Sequence, residues 1–107
     1  MSSITGNLFD LDTKDTFETS KTPKTYSYEL KASGGGKIST FKVELCSVPF
    51  GSPGGTWSTI EEKSDISSGA TERGSFTAAE SGLSNSHLRF TFTRKALTHG
   101  VSYDLSY

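Results

Sequence analysis

Three aspartates within six residues, in Asp10-Leu11-Asp12-Thr13-Lys14-Asp15, form the densest group of potential ligands in the chain. Hard cations such as calcium take oxygens from carboxylates and backbone carbonyls, and such a group at a strand end can supply several. The spacing is not that of an EF-hand: Lys14 occupies the third acidic position, and the glycine due next is missing, with Asp15 and Thr16 following instead. The competing reading is a turn in which Asp side chains cap backbone amides. A second group is the loop Pro49-Phe50-Gly51-Ser52-Pro53-Gly54-Gly55, which runs through Thr56 into Trp57, the one tryptophan. An exposed indole beside flexible glycines can stack on a sugar face while neighbouring polar groups hold the hydroxyls. Phe50 adds a second aromatic surface, and Arg89 or Arg94 can donate to sugar oxygens. The other reading of Trp57 has it start a strand and plug the core, with Thr59 beneath it.

Other chemistry is sought without success. Gly34-Gly35-Gly36-Lys37-Ile38 lacks the first glycine of a phosphate loop, since Lys31 stands there, and has Ile38 where Ser or Thr must follow the lysine. There is no Gly-x-Ser-x-Gly elbow. His87 and His99 flank one strand with no local signature joining them to Cys46 or to a hydroxyl. Glu61 and Glu62 are adjacent, so on a strand they point to opposite faces and cannot act as an acid–base pair. No grouping has zinc spacing. No catalytic residue is expected, and the chain is read as a non-enzyme.

Elements to position these groups come from the apolar pattern. Tyr26-Ser27-Tyr28-Glu29-Leu30, Phe41-Lys42-Val43-Glu44-Leu45, Leu88-Arg89-Phe90-Thr91-Phe92 and Val101-Ser102-Tyr103-Asp104-Leu105 alternate with period two, and no window carries a helical stripe. Eight strands are predicted, over 4–11, 16–19, 24–31, 37–46, 56–61, 71–78, 87–94 and 101–107. Ile38 and Phe41 fall out of phase, which predicts a β-bulge between them. Ser33-Gly34-Gly35-Gly36 is predicted to turn two strands into an antiparallel hairpin. Residues 63–70 read as a polar connection, and 79–85 as a short helical turn. The expectation is an all-β chain: one antiparallel β-sandwich domain over 1–107, jelly-roll-like, closed by its C-terminal strand.

Eleven basic against twelve acidic residues give a formal charge of −1, so a nucleic-acid partner is not expected. Lys21, Lys24, Lys31, Lys37 and Lys42 read as edge-strand lysines that discourage edge pairing. A single cysteine, Cys46, allows no internal disulfide. No signal peptide or membrane-length apolar run is seen, which predicts a soluble chain and leaves its compartment open.

The order Tyr-x-Tyr-x-Leu (26–30), Phe-x-Val-x-Leu (41–45), Gly-Gly-Thr-Trp (54–57), Gly-x-Phe (74–76), Leu-Arg-Phe-x-Phe (88–92) and Tyr-Asp-Leu (103–105) resembles the jelly-roll sandwich of galactose-binding-like domains and related carbohydrate-binding modules. The resemblance covers about 80 of the 107 residues. It implies lectin-like binding of sugar or of a cell surface, and often a structural calcium between first and last strands. On this chain that suggests Asp104 with Asp10 or Asp12.

The expected function is a binding module for carbohydrate or a glycosylated surface, using Trp57, Phe50, Arg89 and Arg94, with calcium as candidate cofactor. The alternatives are a virion, tail or appendage subunit, then a small lytic protein that contacts membranes through Phe50 and Trp57. The partner is a glycan or a protein, a membrane is not the expected surface, and homo-oligomers remain open.

Overall fold

The structure, a computed structural model, describes residues 2–9, 13–79, 85–95 and 99–107. Eight strands run in order as β1 Ser3–Leu8, β2 Lys14–Lys21, β3 Thr25–Ser33, β4 Lys37–Cys46, β5 Trp57–Ser67, β6 Thr71–Thr77, β7 Ser86–Thr93 and β8 Val101–Ser106. They form two four-stranded antiparallel sheets, β1-β8-β3-β6 and β2-β7-β4-β5. Fold the chain in half and the topology follows: β1 pairs with β8, β2 with β7, β3 with β6 and β4 with β5. The β3–β8 and β4–β7 pairings then roll that long hairpin up into a jelly roll.

Alternation explains why the strands stack this way. β3 buries Tyr26, Tyr28, Leu30 and Ala32, β8 buries Val101, Tyr103 and Leu105, and β7 buries Leu88, Phe90 and Phe92. These rings meet between the sheets: Phe92 stacks on Tyr103 at 4.0 Å, and Tyr28 lies 5.3 Å from Phe41. Truncating a fully buried ring such as Phe92 to Ala costs about 3–5 kcal/mol in transfer and cavity terms. Two tyrosine hydroxyls tie the sheets together, one to each edge strand of the second sheet. Tyr28 donates to Glu61 Oε2 at 2.8 Å on β5, and Tyr103 donates to Asp15 Oδ2 at 2.6 Å on β2. Burial and the neighbouring carboxylate push both phenols well above the ordinary tyrosine range.

Four expectations need correcting. The glycine turn at 34–36 does not close a hairpin, because β3 and β4 belong to different sheets. Those glycines cross the core end under the 99–100 backbone, where a Cβ on Gly36 would stand 2.3 Å from the His99 carbonyl oxygen. The connection read at 63–70 is shorter: β5 continues to Ser67, as an edge strand can when both of its faces are largely polar. Phe9, counted within the first strand, lies beyond β1 and is 67% exposed. Finally, the phase change between Ile38 and Phe41 is not a one-sided bulge. Register with β5 is the same at Ile38↔Ile66 and Phe41↔Lys63, and the unpaired rung holds Asp65 at φ 55. Both strands change phase together, so Ile38 and Ile66 reach the core as a pair. The helical turn predicted over 79–85 falls mostly outside the described residues.

Candidate functional site

A true bulge does occur, lower in the same pair of strands, and it builds the site. Val43 pairs with Glu61 but Glu44 pairs with Thr59, which leaves Ile60 as the extra residue. A bulge shifts the strand's phase by one, so every residue beyond it changes face. Glu61 points inward to Tyr28. Without the bulge, Trp57 and Thr59 would share its inward phase. With it, Thr59 stands beside Glu44, and Trp57 beside Cys46, on the outer face of β2-β7-β4-β5.

There Trp57 is half-buried beneath its neighbours. The Arg89 guanidinium carbon lies 4.1 Å from the centre of the indole, a cation–π contact. Arg89 is held flat by Glu44, whose Oε1 accepts from Nε and Nη2 at 3.1 Å each. His87 packs edge-on against Trp57 at 4.7 Å and against Phe50 at 4.8 Å. Its Nε2 lies 2.7 Å from Glu18 Oε1 without hydrogen-bond alignment. Phe50, half exposed, is carried by a loop whose base is closed by Ser47 N–H donating to the Thr56 carbonyl at 2.9 Å. Gly55 allows the return into β5: it sits at φ 94, and a Cβ there would stand 2.8 Å from both Cys46 Sγ and Val48 Cγ2. Cys46 faces outward by parity but is buried under this loop.

From this aromatic end a polar groove of about 350 Å³ runs across the sheet, lined by Lys14 and Thr16 of β2, Arg89, Thr91 and Thr93 of β7, Thr40, Lys42 and Glu44 of β4, and Glu62 of β5. The rungs are direct: Thr16, Thr91, Lys42 and Glu62 stand in one row, and Lys14, Thr93 and Thr40 in the next. From His87 to Thr93 the face extends about 20 Å at roughly 3.3 Å per residue. That length accommodates an extended chain of several rings.

Of the residues expected from sequence, Trp57, Phe50 and Arg89 meet here, with His87 between the two aromatics. Arg94 does not. It is 1% exposed, and its Nε and Nη2 donate to the His99 carbonyl at 3.2 and 3.0 Å. Parity already places it with Leu88, Phe90 and Phe92 on the core side. Asp104 lies on the outer face of the other sheet, between Thr5 and Lys31. It is opposite Thr5, three residues and about 10 Å from the Leu8 end of β1. Asp10 and Asp12 lie outside the described residues. An ammonium at the position beside Asp104 suits a divalent cation poorly, and no cluster of three His, Cys, Asp or Glu residues occurs among the described residues. The groove residues Thr16, Thr40, Thr91 and Thr93 were missed by sequence reading, although alternation with Phe90 and Phe92 puts Thr91 and Thr93 on the outer face.

No family model and no curated protein matches the chain. Solved structures do share its fold. PirA is 15% identical over 95% of this chain and 90% of its own, with a TM-score of 0.56. The infectious bursal disease virus Gt strain structure is 10% identical over 97% of this chain, which spans 28% of that one, with a TM-score of 0.56. Family 16 Carbohydrate Binding Module-2 is 12% identical over 94% of this chain and 74% of its own, with a TM-score of 0.52. At these identities the likeness establishes the β-sandwich and its kinship in shape with carbohydrate-binding modules.

Proposed function

We propose that this chain is a non-enzymatic binding module that takes carbohydrate along the outer face of β2-β7-β4-β5. The observation that supports it is the joint placement of Trp57, Arg89 and Glu44 at one end of a hydroxyl-lined groove. The indole offers an apolar edge to a sugar ring, the Arg89–Glu44 pair offers a donor and an acceptor at fixed positions, and the threonines exchange hydrogen bonds with ring hydroxyls. Sugar recognition needs these together, because a saccharide presents apolar C–H faces and polar rims on the same ring. Sharing a fold with a carbohydrate-binding module agrees with this reading.

A glycan array with the wild-type chain, with and without calcium, tests it. The expected result is selective binding that Trp57→Ala abolishes while the circular dichroism spectrum stays unchanged. EDTA leaves affinity intact, since the groove's lining holds only two carboxylates, Glu44 and Glu62, and Glu44 is occupied by Arg89. An array blank in both conditions defeats the proposal. The assembly reading draws on Phe9 and Phe50, exposed by 67% and 50%, and concentration-dependent oligomers in sedimentation would then favour it.

A further inference from the structure

We infer that the saccharide bound in this groove carries an oxyanion, a carboxylate or a sulfate, seated over Thr91 and Thr93 between Lys14 and Lys42. The inference rests on the carbohydrate reading above and narrows it to acidic saccharides.

The groove contains three cations, Lys14, Lys42 and Arg89, and two carboxylates, Glu44 and Glu62. Arg89 and Glu44 neutralise each other. Neither lysine forms an ion pair among the described residues, even though Glu62 stands directly across from Lys42 on β5. On the opposite sheet, by contrast, Lys31 and Arg73 both close onto Glu29, at 3.3 and 2.9 Å.

Register brings the two lysines toward one point. Lys14 pairs with Thr93 on one side of β7, and Lys42 pairs with Thr91 on the other. Their backbones are two strand spacings apart, about 9.6 Å, and offset by one outward-facing step along the sheet. Both side chains line the same groove, and their four-carbon stems are long enough to converge above the two threonine hydroxyls. An oxyanion there gains two charge-assisted hydrogen bonds from the ammoniums and further donors from Thr91 and Thr93. A neutral ring leaves two ammoniums with Glu62 as the one carboxylate of the groove not already paired to Arg89, a net single positive charge. With a net charge of −1 the chain has no general attraction for polyanions, so acid selectivity would arise from this local pair.

The test titrates the whole chain by calorimetry with oligosaccharides of matched length that are neutral, carboxylated as uronates, or sulfated. At least one acidic series is expected to bind about ten-fold or more tightly than the neutral one. Comparing the two acidic series identifies the preferred oxyanion. The advantage should shrink as ionic strength rises, since exposed charges are screened over about 8 Å at physiological salt. The double variant Lys14→Gln, Lys42→Gln should bring the acidic series down to the affinity of the neutral one while the circular dichroism spectrum remains. Neutral binding equal to or tighter than both acidic series overturns the inference and leaves the carbohydrate reading standing. So does an acid preference that survives the double variant. Failure of all three series to bind removes both.

Discussion

The two outer faces of this sandwich are built by the same rule and end up different. The face of β1-β8-β3-β6 is a regular lawn of Ser3, Thr5, Ser27, Ser75, Asp104 and Ser106, and its charges close on one another through Glu29, Lys31 and Arg73. A shallow hollow of about 310 Å³ on it is walled by Ser27, Tyr28, Glu29, Arg73 and Ser106. The face of β2-β7-β4-β5 has the same alternation but is interrupted by the Ile60 bulge and a ten-residue loop from Ser47 to Thr56. That interruption brings an indole and a phenyl ring to either side of the His87 imidazole of β7, on a surface otherwise made of threonine and charge. Regular pairing makes a scaffold; one irregularity makes a site.

The largest expected effect comes from the core that both faces share. Phe92→Ala should cost about 3–5 kcal/mol, and a thermal melt should fall by well over 10 °C, at roughly 4 °C per kcal/mol for a chain of this size. Deleting Ile60, by contrast, removes only the extra residue of the bulge: Thr59 stays opposite Glu44 and Trp57 opposite Cys46, so saccharide binding is expected to survive. Loss of binding with the fold intact would mean that the bulge shapes the site beyond setting the face of Trp57.

Next in size are the tyrosine ties between the sheets. Tyr28→Phe and Tyr103→Phe each leave a carboxylate, Glu61 or Asp15, without its donor, and each is expected to cost about 1–3 kcal/mol in urea titrations. Both phenols hold their protons more tightly in the native state than in the unfolded chain. Stability is therefore complete below the ordinary tyrosine pKa of about 10 and falls as pH rises above it. The double Phe variant should show a weaker alkaline decline than wild type.

Trp57→Ala comes third for stability and first for binding. The ring is half-buried on the outer face, so its loss should cost about 1 kcal/mol of folding stability. Affinity should fall at least ten-fold, as expected of an aromatic anchor. Arg73→Ala on the opposite face is the smallest change: it breaks an exposed pair and should alter neither the melt nor the affinity measurably.

β3, β4, β7 and β8 were legible because each buries an alternating apolar set, whereas β2 and β6 showed through one aromatic apiece, Phe17 and Phe76. What was not legible depended on partners. A run of glycines permits a tight reversal within one sheet or a close crossing between two, and only the 99–100 backbone decides between them. The end of β5 was hidden because an edge strand with Glu62, Lys63 and Ser64 carries no apolar period. The face of Trp57 was ambiguous for a reason that can be read from the residues: Ile60, the apolar residue of that stretch, is out of phase with Trp57, and such conflict marks a bulge. Arg94 needed only the parity of Leu88, Phe90 and Phe92 to be placed inside.

The most direct test of the account is a saccharide titration followed by amide and side-chain NMR shifts. The expected shifts fall on the Trp57 indole N–H, the Arg89 Nε–H and the amides of Thr91 and Thr93, with Ser27, Ser75 and Asp104 unmoved. Shifts gathered on the β1-β8-β3-β6 face at saturation would contradict it.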